Sequence, residues 1–129
     1  MKYDLSKSEQ KIMNILWAGH RWMTINEIIK ILEPAGIFWK RQTVNTFLAR
    51  LINKGLVIQN SRKYIYAYTE EGYQTLRAKE LLNVDYGGSL VNFITALSGN
   101  RGVTKDEAEQ LKNYLEQFKE GKKLPSENE

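Results

Sequence analysis

The residues best suited to chemistry lie between Trp39 and Tyr68 and carry cations and amides but no acid. Lys40, Arg41, Arg50, Lys54, Arg62 and Lys63 fall in a stretch, Pro34 to Thr69, that contains no Asp or Glu. A surface that faces phosphates needs that composition, because a carboxylate would repel the anion it is meant to hold. Between the cations stand Gln42, Thr43, Asn45 and Thr46. Asn and Gln amides can bond adenine bidentately, and Thr offers a hydroxyl to a base or phosphate and a methyl to thymine. These types and spacings point to nucleic-acid contact: Gln42 and Asn45 as base readers, Thr43 and Thr46 as groups that seat the helix. Arg62 and Lys63 sit at a hairpin tip, where they can meet the flanking phosphates. Arg50 and Lys54 lie deeper on the same helix, where they can reach phosphates or stabilise its C-terminus through the helix dipole.

Other chemistries have little support. The one histidine, His20, lies in a Gly-His-Arg segment without clustered carboxylates, which is poor ground for acid–base or metal chemistry. There is no phosphate-cradling glycine loop and no Gly-x-Ser-x-Gly, so the chain reads as neither an enzyme nor a cofactor binder. The absence of cysteine excludes disulfides and thiolate metal sites. The net charge of +4 is uneven: residues 1–75 hold 11 Lys/Arg against 6 Asp/Glu, and residues 76–129 hold 8 against 9. This asymmetry suggests a polyanion-binding module joined to one that binds protein. A polar start and no apolar run of membrane-spanning length imply no direct membrane binding and a cytoplasmic location.

The elements that must position these residues follow from local signals. Ser6-x-x-Glu9, Thr24-x-x-Glu27 and Thr104-x-x-Glu107 are capping boxes that open three helices. Ile12, Met13, Leu16 and Trp17 form the apolar stripe of the first helix, and Ile25, Ile28, Ile29 and Leu32 that of the second, stopped by Pro34. Val44, Phe47, Leu48, Leu51 and Ile52 give the third helix a full core-facing stripe, closed by Gly55. A hairpin follows, with its tip at Asn60-Ser61-Arg62-Lys63, and its tyrosines and the three tryptophans read as packing groups rather than stacking platforms. A polar helix followed by a basic-tipped hairpin is the pattern of a winged helix-turn-helix. A fourth helix from Thr69 runs to the Gly87-Gly88 break, a short apolar helix spans Leu90 to Leu97, and a last helix carries Leu111, Tyr114, Leu115 and Phe118 in line. The stripes of these last helices need a partner, and a second copy of the chain is the economical one. Leu90, Phe93, Ile94, Leu111, Leu115 and Phe118 are the candidate dimer core. The expected fold is mainly α with a small β element (α+β). It comprises a DNA-binding domain over residues 1–72, a helical dimerisation domain over 73–121 and a disordered tail over 122–129.

Taken together, Leu5-Ser6-x-x-Glu9-x-x-Ile12-Met13-x-x-Leu16-Trp17, Thr24-x-x-Glu27-Ile28 and Trp39-x-x-x-Thr43-Val44-x-Thr46-x-Leu48-x-Arg50-Leu51-x-x-Lys54-Gly55 resemble the penicillinase-repressor family (BlaI/MecI, with copper-responsive CopY relatives). Tyr86-Gly87-Gly88-Ser89 and the closing helix extend the resemblance into that family's dimerisation region. It implies a homodimeric repressor on a double-stranded, inverted-repeat operator, released when a membrane β-lactam sensor triggers proteolysis in the dimerisation domain. Asn92-Phe93 repeats the dipeptide that staphylococcal members present for cleavage, whereas ungapped counting from Gly87-Gly88 sets the scissile position at Thr95-Ala96. Lys40 stands where the family often has a Ser or Thr helix cap. The copper-responsive members' cysteine cluster is missing, which argues against copper sensing. Two other functions remain open: a small-molecule-responsive winged-helix regulator, and a winged-helix protein-interaction module without DNA binding.

Overall fold

The computed structural model describes residues 1–99 and 102–118; the expected tail at 122–129 lies outside them. The first three helices are α1 (Lys7–Gly19), α2 (Ile25–Leu32) and α3 (Arg41–Asn53), with a short 3-10 turn at Glu33–Ala35 between the last two. The strands β1 (Val57–Asn60) and β2 (Lys63–Tyr66) follow, then α4 (Glu70–Tyr86), α5 (Leu90–Ser98) and α6 (Lys105–Glu116). The fold is mainly α, of winged-helix type. All three capping boxes form: the hydroxyls of Ser6, Thr24 and Thr104 accept from the amides of Glu9, Glu27 and Glu107, whose carboxylates accept from the cap amides. Gly55 closes α3 in a Schellman motif. Its φ of 78° lets the Leu56 amide donate to the Leu51 carbonyl while its own amide donates to Ile52.

The chain divides into two compact units, Met1–Arg77 and the residues from Ala78 onward. The first builds its core from the stripes set out above. Ile12, Leu16, Ile28, Val44, Leu48 and Leu51 are fully buried, and Trp17, Met23, Leu56, Val57, Tyr64 and Tyr73 join them. This unit runs past residue 72 because Tyr73, in the first turn of α4, belongs to that core. Its ring packs 5.4 Å from that of Trp17 and its hydroxyl donates to the Tyr3 carbonyl. Tryptophan roles diverge. Trp17 is buried and donates to the Tyr68 carbonyl, Trp39 stacks on Phe47, and Trp22 stays exposed rather than entering the core.

β1 and β2 pair antiparallel with Asn60 opposite Lys63, so Ser61-Arg62 are the central residues of the turn, and Ser61 takes a positive φ of 59°. Lys63, the first residue of β2, closes the four-residue β-turn with Asn60. A further contact holds the hairpin down: Met23, just before α2, exchanges two 2.8 Å backbone hydrogen bonds with Tyr64. This bridge fixes β2 against the entrance of α2.

Within the second unit, the ring of Phe93 on α5 meets that of Tyr86 edge-on at 5.3 Å, and Tyr114 and Phe118 pair at 5.1 Å. No described residue from Ala78 onward is buried; Leu90, Val91, Leu97, Leu111, Tyr114 and Leu115 are exposed. No helix among the described residues is long and apolar enough to cross a membrane.

Candidate nucleic-acid interface

The buried stripe of α3 determines where its polar residues go. With Val44, Leu48 and Leu51 turned inward, Gln42, Asn45 and Thr46 are exposed, while Thr43 is half-buried. The helical sweep of 100° per residue sends Arg41 and Asn45 to one flank and Thr43 and Arg50 to the other, with Gln42 and Thr46 between them.

A groove of about 790 Å³ opens on the Arg41 flank. Arg41, Gln42 and Asn45 of α3 line it, and the start of α2 supplies Thr24, Ile25 and Asn26. The hairpin closes the far side with Gln59, Ser61, Arg62 and Tyr64. No carboxylate is among the described residues that line it. The structure thus brings Arg41, Gln42, Asn45 and Arg62 together on one concave surface. Thr43, Thr46 and Arg50 form the other shoulder of α3, Lys40 caps the helix without a side-chain hydrogen bond, and Lys63 lies exposed beside the turn.

Two of these shoulder residues are held in particular ways. The Thr46 hydroxyl donates to the Gln42 carbonyl one turn back, 2.9 Å away, so its proton is already used and its methyl and lone pairs face outward. The Arg50 guanidinium lies 5.6 Å over the Phe47 ring, which itself packs 5.1 Å from Trp39. This stack supports the arginine along one side of α3. Lys54 resolves differently. Its ammonium donates to both carboxylate oxygens of Glu9, at 2.8 and 2.9 Å, and to the Asp4 carbonyl. It ties the end of α3 to the start of α1 and offers nothing to a ligand. Burial alone would push the Glu9 carboxyl up, but the Lys54 and Ser6 hydrogen bonds outweigh it and hold the carboxyl below its usual range.

Spacing could not reveal two participants. Asn26, exposed on α2, accepts a hydrogen bond from the Arg41 guanidinium, across 15 positions of sequence. Gln59 is fixed by its own bond to the Ser61 carbonyl. The only sequence signal for either was an uncharged polar residue on an exposed face. Of the hairpin tyrosines, Tyr64 lines the groove while largely buried, and the Tyr66 hydroxyl lies 3.3 Å from His20 Nδ1, away from the groove lining. On α5, the Asn92 amide donates to the Ser89 hydroxyl and Phe93 packs on Tyr86, so the Asn92–Phe93 bond lies inside the first turn of a capped helix.

Comparison with known proteins places the chain among regulators. The chain is 29% identical over 123 residues to a penicillinase repressor of Bacillus licheniformis, covering 92% of this chain and 94% of that one. It is 26% identical over 117 residues to the methicillin resistance regulatory protein MecI of Staphylococcus aureus, covering 88% and 94%. A penicillinase repressor of Staphylococcus aureus is 27% identical over 119 residues, covering 87% and 90%. These relatives are regulators and not enzymes. Residues 5–117 match the family described as penicillinase repressor, and the chain belongs to that family of DNA-binding transcriptional repressors.

Proposed function

We propose that the chain works as a homodimer on a double-stranded operator with inverted-repeat half-sites, presenting one α3 to the major groove of each. The observation that carries this reading is the groove where Arg41, Gln42, Asn45 and Arg62 converge with no acid among the lining residues. Gln42 and Asn45 discriminate bases there. Lys40, Arg41, Arg50, Arg62 and Lys63 meet phosphates, and Thr43 and Thr46 seat the helix. Thr46 acts through its methyl and acceptor lone pairs, because its proton is spent on Gln42.

Dimerisation rests on residues from Ala78 onward. Leu90, Leu111 and Leu115 lie exposed, and Phe93, Ile94 and Phe118 are only half-buried, which is what a core completed by a second copy requires. Derepression proceeds by proteolysis in this region, set off by a β-lactam sensor, as the resemblance to the family implies. A protease needs an extended substrate, so cutting between Asn92 and Phe93 requires the first turn of α5 to open. Cutting at Thr95-Ala96 requires a mid-helix opening.

The decisive measurement is base discrimination. An operator selected from a randomised duplex pool by the wild-type chain would be compared with random-sequence duplex at one salt concentration. Asn45→Ala and Gln42→Ala are each expected to cost roughly 1–3 kcal/mol on the operator and far less on random DNA. Equal losses on both would reduce the two residues to backbone anchors.

A further inference from the structure

Two arginines flank the start of α2 and are treated differently. Arg21 pairs with the Glu27 carboxylate, which also caps the helix. Arg41 reaches Asn26 instead, donating from its guanidinium to the amide oxygen, the one atom of that side chain able to accept from an arginine. An acid at position 26 would hold Arg41 more firmly by pairing with its charge. The neutral amide fixes the guanidinium and leaves its charge uncompensated: among the described residues, Arg41 makes no ion pair. Lys54, by contrast, is neutralised by Glu9. An arginine held still by a neutral partner, in a groove that also contains Arg62, is prepared for an anion from outside the chain.

We infer that Asn26 is a positioning residue that fixes Arg41 against a backbone phosphate of bound DNA, where the start of α2 meets the start of α3. The inference deepens the DNA-binding reading above and rests on it. Without Asn26 the guanidinium keeps its charge but must be ordered at the moment of binding, which costs side-chain entropy. Affinity falls while the number of phosphate contacts stays the same. Without Arg41 the contact itself disappears, and Asn26 then has nothing to position.

The test measures duplex affinity against salt for the full-length wild type, Asn26→Ala, Arg41→Ala and the double variant, using random-sequence duplex, since phosphate contacts are independent of sequence. Arg41→Ala is expected to flatten the log–log salt slope by about 0.9, the share of one phosphate contact. Asn26→Ala is expected to weaken binding about 3- to 10-fold, the worth of one hydrogen bond, with the wild-type slope retained. The double variant should match Arg41→Ala alone. Asn26→Asp, which holds the arginine but cancels its charge, should flatten the slope as Arg41→Ala does. Asn26 is exposed, so thermal unfolding of Asn26→Ala should coincide with wild type. A loss from Asn26→Ala that persists in the Arg41→Ala background would overturn the inference, as would an unchanged slope in Arg41→Ala. A wild-type chain without salt-dependent duplex binding would instead remove the DNA-binding reading itself.

Discussion

The unit ending at Arg77 and the helices after it use the same residue types to different ends. In the first, three helical stripes and a hairpin converge, and Ile12, Leu16, Ile28, Val44, Leu48 and Leu51 lose all contact with water. In the second, α5 is the most apolar helix by composition, yet it leaves Leu90, Val91 and Leu97 exposed and buries no residue fully. An apolar stripe states that a helix needs a neighbour without saying whether one chain supplies it. The first unit satisfies its stripes internally, whereas the second presents an unfinished core. Under the dimeric reading proposed above, that division would let the DNA-reading unit keep its shape while the coupling of two such units is undone separately.

The sharpest way to break the comparison is to charge the unfinished core. Leu90 is 54% exposed in the single chain, so Leu90→Asp should leave monomer helicity intact while placing a carboxylate in the dimer contact. A penalty of about 3 kcal/mol or more is expected there, roughly a hundredfold or greater loss of association. Sedimentation equilibrium should find monomer, with an unchanged circular-dichroism spectrum. A full dimer at micromolar protein would show that α5 is not the shared surface. Leu90 is a cleaner target than Phe93, which also packs on Tyr86 of its own chain.

The self-contained unit should fail differently. Lys54→Ala leaves the Glu9 carboxylate buried without its ammonium, at a cost of about 3 kcal/mol in unfolding free energy, and the loss should not depend on protein concentration. The pair also sets the sign of an acid response. Because the Glu9 carboxyl is held below its usual range in the folded state, its contribution is present above the unfolded value and is lost as pH falls through the folded one. Wild type should therefore lose more stability than Lys54→Ala on acidification. Parallel acid limbs in urea titrations would remove the pair from the account of stability.

The smallest effect concerns the hairpin. Arg62→Ala with Lys63→Ala should flatten the salt slope of duplex binding by at most about 0.9 per residue and leave operator preference nearly intact. Arg62 lines the groove and sits in the turn, while Lys63 begins β2, so the single variants should contribute unequally, Arg62 more. An unchanged slope would mean that the hairpin stands clear of DNA.

Much of this protein is determined within a few residues of chain. A capping box joins a hydroxyl to an amide three positions on, and an apolar stripe repeats every three or four, so spacing alone places the starts of α1, α2 and α6 and the inward face of α3. The candidate site was legible to the same extent: Gln42, Asn45 and Thr46 are exposed because Val44, Leu48 and Leu51 must be buried. Tertiary structure decided which cations remain available. Lys54 and Arg50 look alike in sequence, yet Lys54 meets Glu9 across 45 positions while Arg50 rests on Phe47 beside it. Arg41 finds Asn26 across 15 positions, and Met23 clamps Tyr64 through backbone groups that carry no side-chain signature. Spacing records contacts within a turn or two of helix. Contacts between distant segments exist only after the core has closed and brought unrelated stretches of chain to one surface.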